Sequence, residues 1–169
     1  YGSFKGAPKF PQFYMFDAIF YFYLKTNNQK YLIPVEKLLY NISSKGVYDQ
    51  LEGGIARYSV DEKWVIPHFE KMLYDNIQYI NLLSKFYQKT KSEYYKKKLI
   101  QTINFINKEF KNEDSLYGSA YDADSEGIEG KYYVWPYEEI KKILESDFEL
   151  FKKKYVISSL GNFEGNNIL

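Results

Sequence analysis

The sequence predicts an all-α fold, and three observations predict it. Apolar residues recur at helical spacing in six stretches. Those stretches fall into three pairs, each joined by a short polar turn. Glycine, proline and the charged motifs crowd instead into four long segments that precede, separate and follow the pairs.

The first helix is expected over Phe13 to Lys25, and the turn Thr26-Asn27-Asn28-Gln29-Lys30 leads to a second over Leu32 to Ile42. Leu32, Val35, Leu38, Leu39 and Ile42 form its apolar stripe, and Gly46 is a stop signal. The third helix is expected to start near Pro67, since proline is tolerated where the first-turn N–H lacks a partner. It continues to about Gln88 with Phe69, Leu73, Ile77, Ile80 and Leu83 on one side. Thr90 and Glu93 have capping-box spacing and open a fourth helix, whose stripe is Tyr95, Leu99, Ile103, Ile106 and Phe110. A fifth runs from Pro136 to Leu144; Ser146 and Glu149 repeat the capping spacing before a sixth that ends near Tyr155. One short strand is expected at Tyr132 to Trp135, paired with Leu116 to Tyr121.

In antiparallel helix pairs the short turns lie at one end and the long connections at the other. The long segments Gly6 to Pro11, Tyr48 to His68, Tyr117 to Trp135 and Gly161 to Leu169 are therefore expected at one end, where sites are commonly built.

The 169 residues suit one domain, and 45% hydrophobic and 20% aromatic content is ample for its core. Twenty-three basic against 22 acidic residues leave a net charge of +1, which argues against a nucleic-acid footprint. The tracts Lys96 to Lys98 and Lys152 to Lys154 read as solvated helix faces. Cysteine is absent, so thiolate chemistry, disulfides and Cys-bearing metal sites are excluded for this chain, and a cytoplasmic location is expected. No run reaches the roughly 18 apolar residues of a membrane span. The chain begins with Tyr1 rather than Met, as expected of a fragment or a processed form.

His68 is the only histidine, and imidazole is the side chain best suited to move protons near neutral pH. In the first turn of a helix its charged form would be disfavoured by the dipole. Asp75 would lie two turns on, about 10 Å along the axis, and Glu70 would point elsewhere. A lone histidine is equally a capping or packing residue; the neighbours Arg57, Tyr58, Asp61 and Trp64 supply the case for chemistry. Asp122, Asp124, Glu126 and Glu129 put four carboxylates in eight residues. Asp122, Asp124 and Gly127 fit calcium-loop positions one, three and six, but position twelve is Tyr133 instead of glutamate, so no EF-hand and no other metal site is expected. The same run is open to two further readings: a solvated acidic turn, or the paired carboxylates of glycoside hydrolysis. Lys9, in the rigid entry Gly6-Ala7-Pro8-Lys9-Phe10-Pro11, reads as a packing turn or a contact for a hydroxyl-rich ligand. No phosphate-cradling loop, Rossmann fingerprint or nucleophile elbow is present.

The runs GAPKFP, YDQLEGGIARYSVDEKWVIPHFEKMLYDN, YDADSEGIEGKYYVW and GNFEGNNIL resemble the spermatogenesis-associated protein 20 family, also described as DUF255 or YyaL-like thioredoxin-domain proteins, across essentially the whole chain. The resemblance implies that residues 1–169 are the early part of an (α/α)6 toroid, about three helical hairpins with a short β-hairpin in a long loop. That toroid is similar to those of six-hairpin glycosidases and N-acylglucosamine 2-epimerase. The family's N-terminal thioredoxin-like domain and the rest of the toroid lie outside this chain. It further implies a carbohydrate-active parent, a sugar epimerase or isomerase or a glycosidase, needing no cofactor, with the fragment alone inactive. The alternative is a non-enzymatic toroid that binds a glycan or a protein. By motif, His68, Glu70, Asp122 and Asp124 are the expected catalytic residues and Arg57, Tyr58, Trp64 and Lys9 the expected substrate contacts. Partners are expected to be a carbohydrate and, through helix faces exposed by truncation, further copies of the chain; nucleic acid and membrane are not expected.

Overall fold

The computed structural model describes residues 1–169, which divide into two compact units, 1–123 and 124–169. The first holds four helices: α1 (Phe13–Thr26), α2 (Gln29–Ser43), α3 (Leu73–Thr90) and α4 (Glu93–Phe105). α1 and α2 are joined by a tight reversal. Asn27 adopts left-handed φ 51°, which asparagine tolerates better than most residues, and its N–H reaches Tyr23 O at 2.7 Å. Asn28 then caps α2 by accepting from the Lys30 N–H at 3.1 Å.

α1 packs on α2 and α3, and α3 on α4. Phe13, Phe16, Phe20 and Tyr23 of α1 meet Val35, Leu38, Leu39 and Ile42 of α2 and Tyr79, Leu82, Leu83 and Phe86 of α3 in one apolar core. The long loop after α2 adds Val47, Tyr48, Ile55 and Trp64 to that core, so the loop is part of the packing and is not draped over it. No helix is long and apolar enough to cross a membrane.

The third helix departs from expectation. It begins at Leu73, because Lys71–Met72 (β1) pairs with Ala120–Tyr121 (β2) in register Lys71↔Tyr121 and Met72↔Ala120. Pro67 bridges Ser59 instead of opening a helix. A non-local ladder has won over the local start signal. The core face of α3 is correspondingly turned: Asn76, Tyr79, Leu83 and Phe86 are buried, while Ile77 is exposed. α4 shows a similar change. It follows Ser92 with no side-chain cap, while Thr90 Oγ1 donates back to Phe86 O at 2.9 Å, so the expected capping box does not form. A π turn over Ile106–Phe110 shifts the helix phase. Phe105, Ile106 and Phe110 are buried there, and Ile103 is exposed.

The second unit contains a small hairpin, Asp124–Ser125 (β3) against Ile128–Glu129 (β4). Its two-residue turn, Glu126-Gly127, has both φ positive, as a type I′ turn requires. Then come α5 (Tyr137–Leu144), a 3₁₀ turn Glu145–Asp147, and α6 (Phe148–Lys154). Ile140, Phe148 and Ile157 form its core, covered by Trp135, Tyr137, Phe151 and Leu169. The expected pairing of Tyr132 to Trp135 with Leu116 to Tyr121 is not found. Ala120–Tyr121 is taken by β1, and Tyr117 bridges Lys111. Trp135 instead exchanges both backbone hydrogen bonds with Asn167 at 2.9 and 2.8 Å. Buried Asn167 also accepts from Ser158 N at 2.9 Å and donates to Ser158 O at 3.1 Å, fastening the final segment.

Candidate functional site

Three of the four long segments are woven together by backbone hydrogen bonds in the first unit. Lys9 and Ser59 exchange both bonds, at 2.7 and 2.9 Å, and Ser59 also bridges Pro67. Val60 N donates to Ile66 O at 2.9 Å, and His68 N to Tyr58 O at 3.1 Å. Beyond these, Arg57 N donates to Glu70 O at 2.8 Å, and β1 carries the ladder on to β2. Segments 9–10, 57–70 and 117–121 thus form one platform over the N-terminal end of α3.

The pairing contains an extra residue. Tyr58 lies opposite His68, but Arg57 lies opposite Glu70, so Phe69 is a bulge. Phe69 takes φ 64°, and Glu70 N closes a three-residue turn onto His68 O at 2.9 Å. Left-handed backbone is costly for a bulky side chain, on the order of 1–3 kcal/mol, and persists only where the surroundings enforce it. Here the Phe69 ring is buried, which holds the turn. The bulge has a direct chemical consequence. On a regular strand Arg57 and Tyr58 would face opposite sides while His68 and Glu70 shared one. With Phe69 inserted, each finds a partner. Tyr58 stacks on the His68 ring at 4.6 Å and 14°, and Arg57 Nη1 meets Glu70 Oε2 at 3.2 Å.

Around these pairs, Phe10 packs on the Tyr58 ring at 4.8 Å, giving an aromatic column Phe10–Tyr58–His68 with Phe10 exposed. Arg57 Nε donates to the Tyr74 hydroxyl at 3.2 Å. The Glu70 bond, followed by the Tyr74 bond, raises the Arg57 guanidinium further above its ordinary value. His68 lies in this extended platform, five residues before α3, so the expected helix-dipole effect on it does not apply.

The remaining expected residues have different surroundings. Trp64 is fully buried, and its indole N–H donates to Tyr1 O at 2.8 Å. Lys9 is buried too. Its ammonium donates to Phe4 O and lies 5.3 Å from the Trp64 ring, and burial lowers its pKa against the pull of Glu62 and Asp61. Both therefore support the platform from below. Asp122 is exposed just beyond β2; continuing the β1–β2 register one step sets it against Glu70. Asp124 belongs to the second unit, where it pairs with Glu129 in the hairpin. No three Asp, Glu or His side chains converge closely enough to hold a metal ion.

Two groups less prominent in the sequence hold the site together. Asn76, fully buried one turn into α3, accepts from Ile55 N at 2.8 Å and donates to Ile55 O at 3.1 Å and Met72 O at 2.9 Å. Lys71, 3% exposed, donates to Asp49 Oδ2 at 2.8 Å and Gly53 O at 3.0 Å, and lies 4.3 Å from the Phe105 ring. Burial lowers its pKa, and Asp49 opposes this. Such a pair fixes geometry more than it stabilises, because desolvation offsets most of the attraction.

Asp75 is the most perturbed carboxyl. It is 8% exposed, and its Oδ2 has no hydrogen-bond partner in the protein. Burial pushes its pKa up to about 6; a Tyr74 hydrogen bond and the Arg57 charge pull it down, and Glu70 adds to the rise. Its signal in the sequence was only its place in the run after His68.

No family model matches the chain. Spermatogenesis-associated protein 20 of Mus musculus is 30% identical over 189 residues, which cover 98% of this chain and 24% of the mouse protein. The Homo sapiens protein of that name is 29% identical over 185 residues, covering 96% and 23%. Uncharacterized protein B0495.5 of Caenorhabditis elegans is 33% identical over 155 residues, covering 85% and 21%. The chain spans about a quarter of the length of the curated relatives it matches. These likenesses support kinship with the spermatogenesis-associated protein 20 family.

Proposed function

We propose, from this kinship and the geometry of the platform, that the chain is the early part of an (α/α)6 toroid in a DUF255-type protein and carries part of a carbohydrate-handling site. The observation that carries this reading is the bulge at Phe69, which gives Tyr58 a stack with His68 and Arg57 an ion pair with Glu70 at successive positions of one strand pair. An aromatic column with an exposed end offers a face on which a sugar ring can stack. The column ends in an imidazole able to move a proton, and adjoining backbone positions carry a guanidinium able to hold a hydroxyl or a developing oxyanion and carboxylates at Glu70 and Asp122.

In an epimerase or isomerase, His68 would take the proton from a sugar carbon while Arg57 steadies the oxygen that gains charge. In a glycosidase, Glu70 and Asp122 would be the paired acids, with their separation deciding whether the configuration is retained or inverted. The non-enzymatic alternative, a toroid that only binds a glycan or a protein, draws on one observation: the His68 ring is already engaged in a stack.

Calorimetric titration of the full-length protein with D-glucose and D-mannose tests the reading. Saturable binding weakened at least tenfold by Tyr58→Ala, with an unchanged melting temperature, supports it. No heat of binding for either sugar, or binding indifferent to Tyr58, overturns it.

A further inference from the structure

The end of the first unit opposite the platform has a chemistry of its own. α1 and α3 run parallel: the rings of Phe13 and Tyr79 lie 5.7 Å apart, Asp17 pairs with Lys85 at 2.8 Å, the rings of Phe20 and Phe86 lie 5.9 Å apart, and Lys89 lies 5.6 Å from the Tyr23 ring. The α1–α2 turn at Asn27-Asn28 and the α3–α4 turn at Lys91-Ser92 therefore share one end. α3 has 18 residues and spans about 27 Å, which separates that end from the platform over its N-terminus. Within 24–31 and 87–97 stand Lys25, Lys30, Lys89, Lys91, Lys96 and Lys97, against the single acid Glu93. The whole chain is almost neutral, so the rest of it carries the acidic excess. Lysines alone make a solvated surface; what sets this end apart is what lies among them. Tyr21, Phe22 and Leu24 are each about half exposed. The rings of Tyr21, Phe22 and Tyr31 follow one another at 6.1 and 5.9 Å. Lys25 lies 5.3 Å from the Tyr21 ring, Lys30 lies 4.8 Å from Tyr31, and Lys91 lies 5.7 Å from Tyr87. Apolar tips are thereby interleaved with ammonium groups held against the rings.

We infer that this end of the four helices rests on an anionic lipid bilayer, with Tyr21, Phe22 and Leu24 entering the headgroup layer and the lysines pairing with lipid phosphates and carboxylates. Aromatic rings and a leucine suit the boundary between headgroups and acyl chains, and the lysines supply the attraction to anionic lipid. Such a contact needs no helix that crosses the membrane. A single-stranded nucleic acid fits this surface less well. Its bases stack on open ring faces, whereas the Tyr21 and Tyr31 rings already carry lysines and Leu24 offers no such face. The acid-rich remainder of the chain is repelled by the same lipid surface, which leaves the platform turned toward solution. The inference is independent of the carbohydrate reading.

The test is co-sedimentation of the full-length protein with vesicles of phosphatidylcholine alone or with about one-third phosphatidylserine, at low and high salt. Binding is expected to be about tenfold or more tighter with phosphatidylserine and to weaken as salt rises. Lys25→Glu together with Lys30→Glu is expected to weaken it about tenfold or more. Phe22→Ser together with Leu24→Ser is expected to weaken it about threefold or more at unchanged charge. Lys153→Glu together with Lys154→Glu makes the same change of charge on α6 and is expected to alter binding by less than about twofold. All six side chains are exposed, and circular dichroism checks that each variant keeps its fold. Equal binding to the two kinds of vesicle, binding to neither, or indifference to the Lys25 and Lys30 changes overturns the proposal, as does an equal loss from the Lys153 and Lys154 changes. It is also overturned if a poly(dT) oligonucleotide binds more tightly than the vesicles, or if the protein is a dimer that dissociates on Phe22→Ser and ignores vesicles.

Discussion

Replacing Asp75 with asparagine is expected to stabilise the protein at neutral pH, against the usual direction of a buried substitution. The folded carboxyl has its pKa raised from 3.8 to about 6. Between those values the folded chain holds a proton that the unfolded chain has released. Stability is therefore greatest below pH 3.8, falls as pH rises through the window from 3.8 to about 6, and is level above it. A tenfold change in proton affinity is worth about 1.4 kcal/mol, so the whole window represents on the order of 3 kcal/mol. Asparagine keeps the shape and carries no charge to desolvate, though it still leaves a polar atom to satisfy. A net gain of about 2 kcal/mol at pH 7.5 is expected, vanishing near pH 3.5. Urea unfolding of both proteins from pH 3.5 to 8 gives this difference directly, because every other titrating group is common to the two. A difference that stays constant across that range, or a variant less stable at pH 7.5, would refute the reasoning.

Asn76→Ala leaves the Ile55 N–H and C=O and the Met72 C=O without their side-chain partner, and is expected to cost about 3–5 kcal/mol in urea unfolding. Gly54→Ala meets two obstacles: φ is +79°, and a Cβ would lie 2.4 Å from Phe105 Cε1. A loss of about 2 kcal/mol or more is expected by the same assay, and a neutral result would show that Phe105 yields easily. Lys71→Ala takes from Asp49 Oδ2 its ammonium partner, while Oδ1 keeps the Leu51 and Glu52 N–H groups, and about 2–4 kcal/mol should be lost, partly recovered when Asp49 is made asparagine as well. The outer face of α1 exposes Tyr14, Tyr21, Phe22 and Leu24, so the chain by itself is expected to associate; light scattering should show mass rising with concentration, and a monomer at high concentration contradicts this.

Helix existence was legible because burial imposes a period of 3.6 on the chain. Val35, Leu38, Leu39 and Ile42 could be placed on one face from spacing alone, and they are buried. Where the reading failed, distant contacts had outweighed local signals. Pro67 looks like a helix start until Ser59 is seen to bridge it. Tyr132 to Trp135 has the composition of a strand, but the segment expected to pair with it is hydrogen-bonded to Lys71–Met72. The segment around His68 was visible as unusual, and Arg57, Tyr58 and Glu70 were recognisable as its company. The device that arranges them was not legible, because nothing in a single sequence marks a phenylalanine for left-handed backbone. Asp75 was hidden for a related reason: an acid in a helical first turn is ordinary, and only its burial and the unpartnered oxygen set it apart.

Deuterium uptake at carbon 2 of D-glucose and D-mannose, compared for the full-length wild type and His68→Ala, tests the central claim most directly. The account predicts exchange by the wild type and its loss in the variant at an unchanged melting temperature. Exchange that survives the loss of the imidazole would contradict it.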